Sequence, residues 1–407
     1  MHCVGDHNQQ TIRSKLGQIS IVYCKFPSFP SYGVMHCKIM ILRYRSNILR
    51  IVISTGNLVP YDYGHVQNMV FIEDLQLLDD NDDADAVVGG SSLSISSQPH
   101  QSSIDGYNSQ SSRKRPLDTE TIAMSGSMSS SYRPSQQAAS GTFKSDLMGL
   151  LEEMGLVNSR DPNDGLIAML HRYDWTRIKA KLVYSIPGTS YDRSKGSGLM
   201  MLRRKVMELR KDWSEEAAYQ VDSIECQGSS LGNMDRAWLS DVLQSCSADG
   251  RREHSCDTVD SVMRIVFPTM THALEGGAGN FGTIFCKKSH WDGPKFPRSL
   301  FYHCESLYGS HQPLHSKTIL CQYRHRTDPQ QGRGWLYVGS HNFTASAWGK
   351  FIRDKQGIMV SNYEVGVLLP VEAAADLKLL YKRSPLMKFA QAEVPWMQDE
   401  QLKMNQR

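Results

Sequence analysis

Two stretches decide the fold: HCKIMILRYRSNILRIVISTGNL at residues 36–58 and HSKTILCQYRHRTDPQQGRGWLYVGSHNF at residues 315–343. Each opens on His-x-Lys, passes through an apolar strand and a turn, and ends a second strand on Thr/Ser-x-Asn followed by a large apolar residue. Among the 14 histidines of the chain, only His36 and His315 begin a His-x-Lys. In a strand, residues i and i+2 share a face, so each histidine is expected to project with its lysine, while the asparagine at the end of the neighbouring strand converges on them. If the two copies pack about a pseudo-twofold axis, His36, Lys38 and Asn57 face His315, Lys317 and Asn342 across one cleft. Such a cleft offers two imidazoles, two ammonium groups and two carboxamides. That set suits a phosphate diester: lysines supply positive charge, and the amides direct hydrogen bonds at non-bridging oxygens as charge builds in the transition state. The chemistry then calls for no metal ion and no cofactor.

Outward from the repeats, Ile19–Tyr23, Cys37–Tyr44 and Leu49–Ile53 read as strands before residue 79, and Met263–Phe267, Thr318–Tyr323, Trp335–Val338 and Val365–Leu369 as strands later. Phe143, Leu147, Leu150, Leu151 and Met154 recur at helical spacing and predict a helix with one buried face. Between these lies a stretch, about 79–142, in which an acidic run gives way to Ser/Gln-rich sequence with few large apolar residues; it reads as a disordered insertion. Arg113-Lys114-Arg115-Pro116 within it is a candidate nuclear localisation signal. Helices and strands in both halves give an α/β fold of two layered domains, 1–211 and 212–407.

Composition narrows the class without naming a function. The net charge is +3, so any polyanion must meet a local basic groove. Nine cysteines are scattered with no Cys-x-x-Cys, which argues against a zinc or redox motif and for a reducing compartment. No apolar run reaches the ~18 residues of a membrane helix, and the first residues are polar, so a soluble, non-secreted protein is expected, with no membrane partner.

The two triplets resemble those of tyrosyl-DNA phosphodiesterases, a branch of the phospholipase D superfamily. Ordinary phospholipase D motifs carry an Asp five residues after the lysine; here Arg43 and Gln322 stand there, and the third member is a later Asn. Ser229-Ser230-Leu231-Gly232, Asn342-Phe343-Thr344-Ala345-Ser346-Ala347-Trp348-Gly349 and Tyr363-Glu364-Val365-Gly366-Val367 extend the resemblance over nearly the whole chain apart from the insertion. It implies two pseudo-symmetric α-β-α sandwich domains with mixed central sheets and one shared active-site cleft. Because the chain starts close to Val4-Gly5-Asp6, the first domain is expected to lack its opening strands and helix, which leaves sheet edges exposed.

What the resemblance further implies is a nuclear DNA-repair phosphodiesterase acting on DNA 3′ ends, single-stranded or duplex, that carry a topoisomerase I-derived tyrosyl peptide. His36 would be the nucleophile and His315 the general acid and then base; Lys38, Lys317, Asn57 and Asn342 would hold the phosphate. Glu364 and Asn68 would orient the histidines. Tyr32 matches an aromatic that stacks on a base, a contact worth ~1–3 kcal/mol, with a core tyrosine the competing reading. Ser229, Ser230, Thr344 and Ser346 match positions that bind the DNA backbone, helix-capping being the alternative. A monomer is expected, since the pseudo-dimer lies within one chain. Two rival readings are a DNA-end-binding protein without activity and a lipid-cleaving phospholipase D, the latter disfavoured by the missing Asp.

Overall fold

The computed structural model describes Pro27, 33–78 and 142–400, apart from 162–163, 193–195, 251–253, 276–283, 306–311, 329, 353–354 and 372–382. The expected strand Ile19–Tyr23, the insertion and its basic cluster, and Tyr32 therefore lie outside the described residues.

A three-stranded antiparallel sheet comprises β1 (Ile39–Arg43), β2 (Ile48–Ser54) and β3 (Val70–Gln76), in that order. On β2 the alternate residues Leu49, Ile51 and Ile53 are fully buried, which is the period of two that the sequence carries. Helix α1 (Pro60–Gly64) bridges β2 and β3. After the insertion come α2 (Phe143–Glu153) and α3 (Gly165–His171). The predicted face of α2 is buried, with Phe143, Leu147, Leu150 and Leu151 in the core and Thr142 Oγ1 accepting from the Ser145 N–H at 3.2 Å, a cap worth about 1 kcal/mol.

The second sheet has eight strands: β4 (Lys181–Ser185), β6 (Tyr219–Gln227), β7 (Met263–Val266), β8 (Phe301–His303), β9 (Thr318–His325), β10 (Gly332–Gly339), β13 (Glu364–Val371) and β14 (Met387–Lys388). Their order is β14-β8-β7-β6-β9-β10-β13-β4, parallel between β6, β7 and β8 and antiparallel elsewhere, so the fold is mixed α/β with a mixed central sheet. A small antiparallel sheet joins β5 (Gly188–Ser190), β11 (Lys350–Ile352) and β12 (Gly357–Val360). Trp335 to Val338 on β10 are all buried, as a strand covered on both faces requires. The covering helices include α4 (Leu199–Arg210), packed on α5 (Arg236–Ser247), and α6 (Cys256–Val262); farther along the chain come α7 (Met270–Glu275), α8 (Lys288–Trp291) and α9 (Ala345–Trp348). Close packing at the centre leaves no room for a side chain at Gly366: a Cβ there would run into the Tyr337 ring and hydroxyl. Among the described residues no helix is long and apolar enough to cross a membrane.

One strand crosses the sequence boundary expected at residue 211. Although β4 precedes it in the chain, β4 closes the edge of the eight-stranded sheet by pairing with β13, placing Ser185 opposite Glu364.

Candidate active site

His36 and His315 lie in extended segments just before β1 and β9 rather than inside those strands. The expected strand placement is corrected accordingly, while in the second copy lysine and histidine do project together, Lys317 Nζ standing 3.1 Å from His315 Nε2. Both segments are still held extended, because each is stitched to the other copy before its own strand begins. The His36 N–H donates to Tyr363 O at 2.9 Å and the Tyr363 N–H to Val34 O at 3.0 Å. The counterpart pair is the His315 N–H to Gln67 O at 2.8 Å and the Gln67 N–H to Pro313 O at 3.1 Å.

One residue beyond each stitch stands the partner of the opposite histidine. After Tyr363 comes Glu364, whose Oε2 is 2.7 Å from His36 Nδ1; after Gln67 comes Asn68, whose Oδ1 is 3.0 Å from His315 Nδ1. The hydroxyl of each Thr/Ser-x-Asn ending braces that partner in turn. Ser340 Oγ donates to Glu364 Oε2 at 2.5 Å, and Thr55 Oγ1 donates to Asn68 Oδ1 at 3.1 Å. Each lysine ammonium folds back on the carbonyl of its own histidine, Lys38 to His36 O at 2.8 Å and Lys317 to His315 O at 2.7 Å. The repeat seen in the sequence is thus a crosswise repeat in space. Each half supplies a histidine, and the other half sets its orientation.

The symmetry stops at the asparagines. Asn342 Oδ1 accepts from the Ser229 N–H, the Ser229 hydroxyl and the Ser230 N–H at 3.2, 3.1 and 3.0 Å, so its amide is fixed with Nδ2 as the outward donor. Asn57 instead gives its Nδ2–H to Asp62 Oδ2 at 2.8 Å. Ser229 and Ser230 therefore serve Asn342 here. The Thr344 hydroxyl accepts from the Ala347 N–H at 3.1 Å and caps α9, while Ser346 is exposed and its carbonyl accepts from the Ser361 and Asn362 N–H groups at 3.1 Å.

Sequence reasoning missed three contributors. Thr55 and Ser340 stood within the quoted endings, and their repetition at the same offset from Asn was the available signal. Asp62 lies outside the repeat; Pro60 at the first helical position followed by an acidic residue marked the start of a helix, but not that its carboxylate turns inward.

Electrostatics follow from burial. Lys317 is fully buried and Lys38 nearly so, and loss of hydration pushes both ammonium groups down, with Lys38 depressing Lys317 further. Burial, Lys317, Lys38 and His36 together hold His315 at about 2. Burial also lowers His36, against the opposing pull of Glu364. Glu364 itself is pushed up by burial, but the charge and hydrogen bond of His36, with His341 and Lys38, bring it down to about 2. A phosphodiester anion among these groups reverses the balance, since it favours the charged form of every cation around it.

A consequence for stability has a definite sign. His315 and His341, held at about 2 and about 3, stay neutral in the fold yet take up protons when unfolded below about pH 6.5. The unfolded state then binds more protons, so stability is present above that pH and is lost on acidification, by up to about 1.4 kcal/mol per pH unit for each histidine. His36 and the two lysines, also depressed, act in the same direction. Urea midpoints at pH 7.5, 6.5 and 5.5 are expected to fall in that order. A midpoint that does not move would contradict the buried neutral imidazoles.

Gly56 has its own role. A Cβ there would lie 2.7–2.9 Å from the Asn68 carboxamide, the group that holds His315. Gly56→Ala is expected to displace Asn68 and lower turnover by about 10-fold or more, by analogy with the loss when a partner that orients a metal-bound histidine is removed. Kinetics beside a thermal melt check it; unchanged turnover would show that Asn68 yields freely.

A model of the tyrosyl-DNA phosphodiesterase family matches residues 1–405. The chain belongs to the tyrosyl-DNA phosphodiesterase family. Tyrosyl-DNA phosphodiesterase 1 of Arabidopsis thaliana is 24% identical over 389 residues, covering 90% of this chain and 52% of the relative. The Schizosaccharomyces pombe protein named "Probable tyrosyl-DNA phosphodiesterase" is 24% identical over 377 residues, covering 84% and 64%. The chain thus spans about half to two thirds of the length of these relatives. Crystal structures of yeast tyrosyl-DNA phosphodiesterase share the fold: one superposes with a TM-score of 0.51 at 16% identity over 84% of this chain and 69% of that one. A histidine-to-arginine variant gives 0.57 at 15% identity over 92% and 79%.

Proposed function

We propose that this member of the tyrosyl-DNA phosphodiesterase family hydrolyses the bond between a DNA 3′ phosphate and the tyrosine of a trapped topoisomerase I peptide, leaving a DNA 3′-phosphate. The observation that carries the reading is the crosswise pairing of the histidines, with His36 on a carboxylate and His315 on a neutral amide. Glu364 fixes the His36 proton on Nδ1 and leaves the Nε2 lone pair for attack on phosphorus. Asn68 Oδ1 already takes the Thr55 hydroxyl and accepts the His315 Nδ1–H, so Nε2 of His315 is the nitrogen that can carry or accept the transferred proton.

The reaction runs in two displacements. His36 Nε2 forms a bond to phosphorus as the P–O bond to tyrosine breaks, and His315 Nε2 gives its proton to the departing phenolate oxygen. Neutral His315 then takes a proton from water, whose oxygen attacks phosphorus and expels His36. Lys38, Lys317 and Asn342 Nδ2 face the non-bridging oxygens; Asn57 joins them by exchanging its bond to Asp62. The residues of this site supply the charge stabilisation themselves, and activity in EDTA is expected. Among the described residues no cluster of three or more His, Cys, Asp or Glu is arranged to hold a metal.

Residues 1–211 and 212–407 form the two pseudo-symmetric halves in this reading, supported by the paired hairpins β1–β2 and β9–β10. In this reading the DNA strand runs past Asn342, where Ser229 and Ser230 bond its amide and Thr344 and Ser346 follow it in the chain, and Tyr32 is the residue that would stack on a base. A monomer acting in the nucleus, directed by Arg113–Pro116, completes the proposal. The test is incubation of a 3′-phosphotyrosyl oligonucleotide with the protein in EDTA. A product ending in 3′-phosphate is expected, and a folded protein that yields none would sink the reading.

A further inference from the structure

Asp62 is an acidic group at this site that neither the repeat nor the family resemblance points to. It lies on α1 and is 1% exposed. Its Oδ2 accepts the Asn57 N–H at 2.5 Å and the Asn57 Nδ2–H at 2.8 Å, and stands 3.5 Å from His315 Nδ1. Its Oδ1 is buried without a hydrogen-bond partner. Burying a carboxylate oxygen with nothing to accept from is costly unless positive charge faces it. The groups able to supply that charge are Lys38, Lys317 and the protonated imidazole of His315.

Building on the phosphodiesterase reading, we propose that Asp62 is a positioning residue for His315, a carboxylate that stabilises the imidazolium form and so lets His315 protonate the tyrosyl oxygen. The groups facing His315 explain the need. Lys317 comes from its own segment, and Lys38 and His36 from the segment leading into β1; Asn68 beside it is neutral, and Glu364 of β13 acts on Lys317 and His36. Three of these are cations or potential cations that oppose a fourth positive charge, and Glu364 is committed to His36. Among the described residues, Asp62 is the carboxylate paired with His315. Once a phosphodiester occupies the lysines, the carboxylate at 3.5 Å is left to balance the imidazolium. Asp62 thereby stands to the acid as Glu364 stands to the nucleophile.

A purely structural role, bracing the 57–62 loop through Asn57, predicts equal damage to every substrate. Acid assistance does not. Two diesters of one 3′-nucleotide separate them in single-turnover experiments, one releasing tyrosine and the other p-nitrophenol. Tyrosine is a basic leaving group that needs a proton, whereas p-nitrophenolate departs without one. For Asp62→Asn, tyrosine release is expected to fall on the order of 10²-fold, while p-nitrophenolate release stays within about an order of magnitude of wild type. The alkaline limb of the tyrosine profile should move to lower pH, since His315 loses its proton more readily. Asp62→Glu, which keeps the charge, should recover much of the tyrosine release. Equal loss with both leaving groups, or an unmoved limb, overturns the proposal and leaves Asp62 a loop brace. If Asp62→Asn does not fold, Asp62→Ser keeps an acceptor for Asn57 and makes the same comparison. Wild-type protein that releases neither group is a different failure: it removes the phosphodiesterase reading beneath.

Discussion

His36→Ala is expected to lower tyrosine release from a 3′-phosphotyrosyl oligonucleotide by on the order of 10⁴-fold or more, the scale seen when a covalent nucleophile is removed. The loss should sit in turnover and not in binding. Lys38, Lys317 and Asn342 keep their supports when the imidazole is gone, because those run to backbone carbonyls and to Ser229 and Ser230. Glu364 also keeps Ser340 and Asn362 as donors, so the buried carboxylate is not stranded. The affinity for an oligonucleotide ending in 3′-phosphate, measured by fluorescence anisotropy, is therefore expected to change little. Substantial turnover by His36→Ala, with His315→Ala inactive, would exchange the roles of the two histidines.

His315→Asn should have the opposite signature, accumulation of protein joined to DNA. The first displacement retains its nucleophile and the lysines, and loses only a proton donor. The second loses the group that activates water, a contribution of about 10²–10⁴-fold. Hydrolysis of the phosphohistidine then becomes the slow step, and the adduct builds up. The effect should be clearest with the p-nitrophenyl ester, whose first step does without the acid. Denaturing gels would show the adduct and mass spectrometry would locate it; an adduct absent with both substrates, or carried on a residue other than His36, would overturn the assignment.

How much of this was legible in the sequence can be judged residue by residue. The two triplets were visible because a catalytic unit repeated at large separation leaves a pattern that neither copy shows alone. The partners Glu364 and Asn68 came only from family resemblance. No periodicity could supply them, since each serves a histidine 328 or 247 residues away. The helix at Phe143–Glu153 and the central strands followed from spacing and apolar runs. The placement of His36 and His315 before their strands did not, because what keeps those segments extended is pairing with the opposite copy. Local sequence is equally silent about β4, a strand whose sheet is chosen by β13. Asp62 was hidden for a related reason: an acidic residue in a first helical turn normally faces water, and only the loop from Asn57 turns this one inward.

The stitches at Met35–Tyr363 and Gln67–Leu314 bear on how such a protein could be taken apart. Neither half holds a finished site, for the residue that aims each imidazole belongs to the other. Expressed as separate fragments, the halves would be inert alone and would regain activity only on reassociation, like subunits of an obligate heterodimer. A variant defective in His36 could not be rescued by supplying a free first half unless that half displaced the resident one at both stitches together. Two copies of one motif, each aimed by a residue of the other, make a site that cannot be divided between them.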